Sequence, residues 1–301
     1  MQYNFDQVVL QFDADQQMGL YIILAFIMFG VALRIRIEDF KTLFLNPKGV
    51  WVGLLSQFLL LPLCTFLVVS QLQPSPSLAL GMFLVAACPG GNISNFMTTH
   101  AKADIPLSVT LTACSSALSV VLTPLNFVVY ASLYPPTQEL LQSISINGNE
   151  VLKLQGLMLV LPLVVGMAFS KYQADLSQRM ARVLHPLSLA IFILLVAGAF
   201  WNNSALFMNY FQVFFYWVLI HNAMALVSGY GLGKVLGLTP QSCRTIALET
   251  GIQNSGLGLV IVFAFFQGLG GMAMITGWWG IWHIISGLSV ATYFRLRPIE
   301  P

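Results

Sequence analysis

Two polar stretches decide how this chain folds: Cys88-Pro89-Gly90-Gly91-Asn92-Ile93-Ser94-Asn95 and Glu249-Thr250-Gly251-Ile252-Gln253-Asn254-Ser255-Gly256. Each interrupts an apolar run of membrane length. Helix breakers and bare amides are costly in hydrocarbon, because lipid cannot hydrogen-bond a freed backbone. They persist where they line a cavity or bind something. Two such breaks, in corresponding places of two halves, point to the binding site of a transporter.

The rest of the chain is what a bilayer demands. Of 301 residues, 57% are hydrophobic and 8% charged, against about 25% charged in ordinary soluble proteins. The expected fold is all-α and polytopic, with no soluble domain of useful size between the apolar runs. Cys64, Cys88, Cys114 and Cys243 fall in or beside those runs. That placement argues against a disulfide framework, and zinc-ligand spacings are absent. Met1 to Gln17 carries Asp6, Asp13 and Asp15 but no Lys or Arg. It lacks the basic start of a signal peptide and reads as a short polar tail.

Apolar runs predict nine spans, near 18–34, 49–71, 77–101, 105–134, 151–169, 186–201, 211–236, 242–266 and 270–294. The first and sixth are short, and snorkelling ends such as Arg34 or local thinning would accommodate them. The basic residues set the orientation. Arg34, Arg36, Lys41 and Lys48 follow span one, and Lys102 follows span three. Lys171, Arg179 and Arg182 follow span five; Lys234 and Arg244 flank the seven–eight loop; Arg295 and Arg297 follow span nine. Only Lys153 falls on the other side, so 12 of the 13 basic residues obey the positive-inside rule. The N-terminus is then outside and the C-terminus inside. The breaks lie in spans three and eight, which run in opposite directions, as in an inverted repeat whose first half lacks its first helix.

Glu249 is the one acidic residue placed within a span, and no membrane Lys or Arg is available to pair with it. A carboxylate at that depth needs a partner, and a metal cation or a proton fits. Its expected neighbours are neutral oxygens: Ser94, Asn95, Gln253, Asn254, and the hydroxyls of Ser108 and Thr112, which share one face of span four. Hard oxygen ligands with a single carboxylate favour a monovalent ion, read here as sodium. Pro89-Gly90-Gly91 should end one half-helix, and another can begin near Asn92, its free N–H groups facing the midplane. Asn, Gln and Ser also serve simply as glue between membrane helices, which is a sufficient reading for an isolated Ser108. His283, His221 and Asn222 are open between a structural and a functional role; His100 and His185 lie near span ends.

At these residues the chain resembles the bile acid:sodium symporter family. The resemblance runs from Met18 to Tyr293 and rests on CPGGNISN (88–95), LSVTLT (107–112), SQFLLLP (56–62), LETGIQNSG (248–256) and WHIISG (282–287) in the family's order. It implies discontinuous helices crossing at the midplane and two domains that move against each other: a panel of 18–34 and 150–201, and a core of 49–135 and 210–294. It implies a first sodium site of Ser94, Asn95, Ser108, Thr112 and Glu249. The second would be Gln57, Glu249, Thr250, Ile252 and Gln253, with Thr250 and Ile252 giving backbone carbonyls. Asn92, Asn254 and His283 would meet the substrate. Many bacterial relatives carry Asn after that histidine, where this chain has Ile284. The implied activity is alternating-access symport of sodium with an organic anion, bile-acid-like or a small mono- or keto acid such as pantoate, in a bacterial inner membrane. Lipid and a small anion are the expected partners, nucleic acid is not, and no catalytic constellation is visible. A proton-coupled carrier using Glu249 and a non-transporting anion receptor are the alternatives.

Overall fold

A computed structural model describes residues 47–143, 161–162, 164–202 and 204–297, with 6, 25–26, 29–30 and 32–33. Most of expected span one and of span five, the remainder of the N-terminal tail, Lys153 and the side chain of His185 lie outside the described residues. The described chain is helical, and its one β-type pairing is an isolated antiparallel bridge between Gly90 and Gln253.

The first helix, α1 (Pro47–Leu72), is one of three among the described residues long and apolar enough to cross a membrane; the others are Ile105–Leu133 and Phe211–Val235. α1 is not uniform. Pro62 has no N–H to give Phe58 O. The chain answers with a π-helical turn over Ser56–Leu60, in which Leu61 N–H reaches Ser56 O. Phe58 O instead accepts from Asn126 Nδ2 at 2.9 Å. Such a bulge re-aims one side chain, and Gln57, buried within this turn, is the polar residue so placed.

Span three divides as expected, into α2 (Pro76–Ala87) and α3 (Ile93–His100). Span four is α4 (Ile105–Leu133). A further helix, α5 (Pro135–Ser143), occupies a stretch expected to be loop. Expected span six is longer than its apolar run: α6 covers Ala174–Asn202. Hydropathy marks only the part that suits lipid, whereas the helix continues through the charged segment holding Arg179 and Arg182. α7 (Ser204–Val235) likewise begins before 211. Span eight divides into α8 (Pro240–Gly251) and α9 (Ser255–Phe265), and α10 is Gly270–Leu296.

A helix that is apolar all round must be buried. Every residue of α2 from Ser77 to Ala87 is buried, as is α9 from Leu257 to Phe265. These two half-helices form the centre of the main apolar core, with Phe83, Phe127, Phe266 and Trp279. Phe127 meets Phe266 edge-on at 5.2 Å between ring centres. Close approach uses small residues, since apolar side chains gain little over lipid. A Cβ on Gly81 would lie 2.9 Å from Ile275 Cβ and 3.0 Å from Met272 Cα of α10. Gly81→Val is therefore expected to separate α2 from α10 and cost about 1–3 kcal/mol, visible as a lower apparent melting temperature. Around this centre, Trp51, Leu55, Leu59, Leu63 and Leu67 form an exposed ridge on α1 at helical spacing, suited to lipid and costly in water.

Asp6, expected in a free tail, instead caps α2: its Oδ1 accepts from Ser77 N at 2.8 Å. At the opposite ends of the broken helices, four elements are bolted together. Arg244 in the first turns of α8 donates to Phe294 O (2.9 Å) and Arg297 O (2.6 Å), with its guanidinium 5.1 Å above the Phe294 ring. His100, ending α3, bonds Thr292 Oγ1 of α10 at 3.1 Å. Asp104 caps α4 through Leu107 N and also accepts from Ser242 Oγ of α8 at 3.0 Å.

Candidate functional site

The breaks cross antiparallel. Gly91 N donates to Ile252 O at 2.7 Å, and Asn254 N donates to Pro89 O at 2.8 Å. Unwinding frees carbonyls that water would normally satisfy, and here protein donors do so. Ala87 O accepts from Thr123 Oγ1 at 2.7 Å, and Gly251 O accepts from Asn222 Nδ2 at 2.7 Å. Asn254 also caps α9, its Oδ1 accepting from Leu257 N at 3.0 Å. The N-termini of α3 and α9 thus both open onto the crossing.

Glu249, 1% exposed, lies two residues before the end of α8. Its Oε1 accepts from Ser94 Oγ at 2.6 Å, from Ser108 Oγ, and from Thr112 Oγ1 at 3.3 Å; Thr112 also reaches Oε2 at 3.2 Å. Asn95 Oδ1 lies 2.8 Å from the same Ser108 hydroxyl and 3.3 Å from that of Thr112, so it competes with the carboxylate for their single protons. All five residues expected at the first ion site therefore meet, drawn from α3, α4 and α8. Each hydroxyl that points its proton at the carboxylate keeps oxygen lone pairs for a cation.

The second group meets on the other side of Glu249. Gln57 Nε2 donates to Gln253 Oε1 at 3.3 Å, and Gln253 Nε2 donates to Thr250 O at 2.7 Å. A Cβ on Gly90 would lie 2.9 Å from Glu249 Oε2 and 3.3 Å from Gln57 Nε2, so Gly90 is the floor between them. Gln57 Oε1 is buried with no donor among the described residues. A bare carbonyl oxygen in such a place costs free energy, and a bound cation would satisfy it. The Ile252 carbonyl, expected as a ligand, already accepts from Gly91 N; its second lone pair is what remains for an ion. Among the described residues, no three His, Cys, Asp or Glu side chains are grouped as a transition-metal site would require.

Of the expected substrate residues, Asn92 and Asn254 are half-buried at the crossing. His283 sits on α10 and is buried. A Cβ on Gly280 would press Ser255 Oγ at 2.7 Å, and one on Gly287 would strike the Ile252 side chain. Residues 280, 283 and 287 share a helix face, so His283 faces the second break. Ile284 is exposed.

Two contributors, Ser56 and Gly90, were not assigned a role by sequence, and a third, Asn222, was left open between a structural and a functional one. Ser56 shares a hydrogen bond with Thr250 Oγ1 at 2.8 Å, and Gly90 floors the second group. Asn222 holds the end of α8. Asn222 is the one with a sequence signal, a carboxamide within an apolar span; a serine and one glycine of a pair carry none.

Residues 21–210 match the Sodium Bile acid symporter family. The chain is 33% identical over 281 residues to the "Uncharacterized sodium-dependent transporter YocS" of Bacillus subtilis, covering 92% of this chain and 83% of that protein. It is 31% identical over 240 residues to the "Probable sodium/metabolite cotransporter BASS1, chloroplastic" of Arabidopsis thaliana, covering 79% of this chain and 57% of the relative. It is 29% identical over 254 residues to the human "Ileal sodium/bile acid cotransporter", covering 81% and 68%.

Proposed function

Because the chain belongs to the Sodium Bile acid symporter family, a family of sodium-dependent membrane transporters, we propose that it carries an organic anion across a bacterial inner membrane with two sodium ions. In this reading nine spans, N-terminus outside, alternate access by moving the panel of 18–34 and 150–201 against the core of 49–135 and 210–294. The observation that carries it is Glu249: a buried carboxylate at an antiparallel crossing, hydrogen-bonded by hydroxyls and flanked by a bare amide oxygen on Gln57. A proton needs one acceptor; two clusters of neutral oxygens sharing one carboxylate suit two alkali ions.

The first ion takes Ser94, Asn95, Ser108, Thr112 and Glu249. The second takes Gln57, Glu249, Gln253 and the carbonyls of Thr250 and Ile252. Two cations on one carboxylate leave positive charge beside the N-termini of α3 and α9, which favours an anionic substrate touching Asn92, Asn254 and His283. Each net charge that enters gains about 2.3 kcal/mol per 100 mV of membrane potential. The substrate class is an organic monocarboxylate, bile-acid-like or a small keto or pantoate-like acid.

The test is uptake into proteoliposomes of labelled taurocholate and pantoate, at one pH, under a sodium or a potassium gradient. Sodium-driven accumulation is expected. Equal uptake in both salts would overturn sodium coupling and favour a proton, and absence of counterflow for an anion that binds would identify a receptor.

A further inference from the structure

His221 and Asn222, adjacent on α7, are fully buried and belong to neither ion group. Asn222 bonds two helices at once. Its Nδ2 donates to Gly251 O, two residues after Glu249, while its Oδ1 accepts from Ser286 Oγ of α10 at 2.5 Å. His221 does the same on a neighbouring line. Its Nε2 lies 2.7 Å from Thr65 Oγ1 of α1, and its ring meets Trp279 of α10 edge-on at 4.8 Å.

The single Thr65 hydroxyl proton goes to Leu61 O at 2.7 Å. With that proton so placed, His221 donates through Nε2, and its buried Nδ1 has no donor among the described residues. Thr65 stands two turns beyond Gln57 on the same face of α1. On α10, residues 279, 283 and 286 also share a face. His283 is thus flanked by two contacts, one tied to the helix of Gln57 and the other to the helix of Glu249.

We propose that His221 and Asn222 are positioning residues that pass the effect of sodium from α1 and α8 to the substrate-facing side of α10. The proposal rests on the sodium reading above. The ions draw in the end of α8 and the π-helical turn of α1; Asn222 and His221 pass those shifts to Ser286 and Trp279. In hydrocarbon no water replaces a lost partner, so these bonds move as units.

The test needs no substrate. The full chain in lipid nanodiscs is melted in sodium and in potassium chloride, and hydrogen exchange is followed on peptides covering 279–289. In the parent, sodium should raise the melting temperature and slow exchange on α10 by about fivefold or more. Asn222→Ala and Ser286→Ala should keep the sodium-induced rise in melting temperature and lose the protection of α10. Ser286→Ala removes only one half-buried hydroxyl and guards against a folding defect in the other. His221→Gln, whose amide can still donate to Thr65, should retain protection that His221→Leu loses. Full protection of α10 in Asn222→Ala would overturn the proposal. So would loss of the sodium-induced rise in both Asn222→Ala and Ser286→Ala, since the pair would then serve the ion site itself. A parent that ignores sodium would instead overturn the transport reading, and this one with it.

Discussion

Glu249→Gln is expected to abolish sodium-stimulated uptake while leaving the protein inserted. Neutralising one member of a buried charge pair costs about 3–5 kcal/mol of that interaction, or roughly two to four orders of magnitude in sodium affinity. Gln keeps the shape and one acceptor for the Ser94 and Ser108 hydroxyls. The sign of the stability change depends on the salt. In potassium the variant no longer buries an uncompensated carboxylate, so it should melt at or above the parent. In sodium the parent should rise and the variant should not. Melting curves in the two salts, with uptake, check both halves; a sodium-induced rise that survives in Glu249→Gln would sink the assignment.

Gly90→Ala should remove the second ion while sparing the first. Its methyl group would enter between Glu249 Oε2 and Gln57, at 2.9 and 3.3 Å, on the side away from Ser94 and Ser108. Overpacking of about 1–3 kcal/mol corresponds to roughly ten- to 10²-fold weaker sodium binding there. The sodium dependence of uptake should therefore fall from a slope near two to about one, at higher half-saturating sodium. Gly198→Ala, where a Cβ meets nothing within 4 Å among the described residues, serves as the control and should match the parent. An unchanged slope in Gly90→Ala would place the second ion elsewhere.

The crossing was readable from residues because a bilayer punishes every freed backbone group. Pro89 with two glycines, and Glu249 with Gln253 and Asn254, stand out against hydrocarbon-like neighbours, and the bridge between Gly90 and Gln253 joins those two strings. Apolar runs likewise bounded α1, α4 and α10 to within a few residues. They failed for α6, because a helix leaving the bilayer turns amphipathic without ending, and for α5, whose polar residues resemble loop. The π-helical turn was hidden for another reason. Pro62 announces that Phe58 O loses a donor, but the sequence does not say that Asn126, 68 positions away, will supply one. Long-range bonds such as Asn222 to Gly251 are equally silent until the helices pack.

The fastening of α3, α4, α8 and α10 by Arg244, His100 and Asp104 has a mechanical consequence. Splaying the inner half-helices would break the two Arg244 bonds to the end of α10 and the Asp104–Ser242 bond together. A hinge at the crossing is therefore the stiffest way to let ions out. In the proposed transport reading, entry and exit would come from sliding this whole plug past whatever flanks it, with the alkali ions as ballast carried inside.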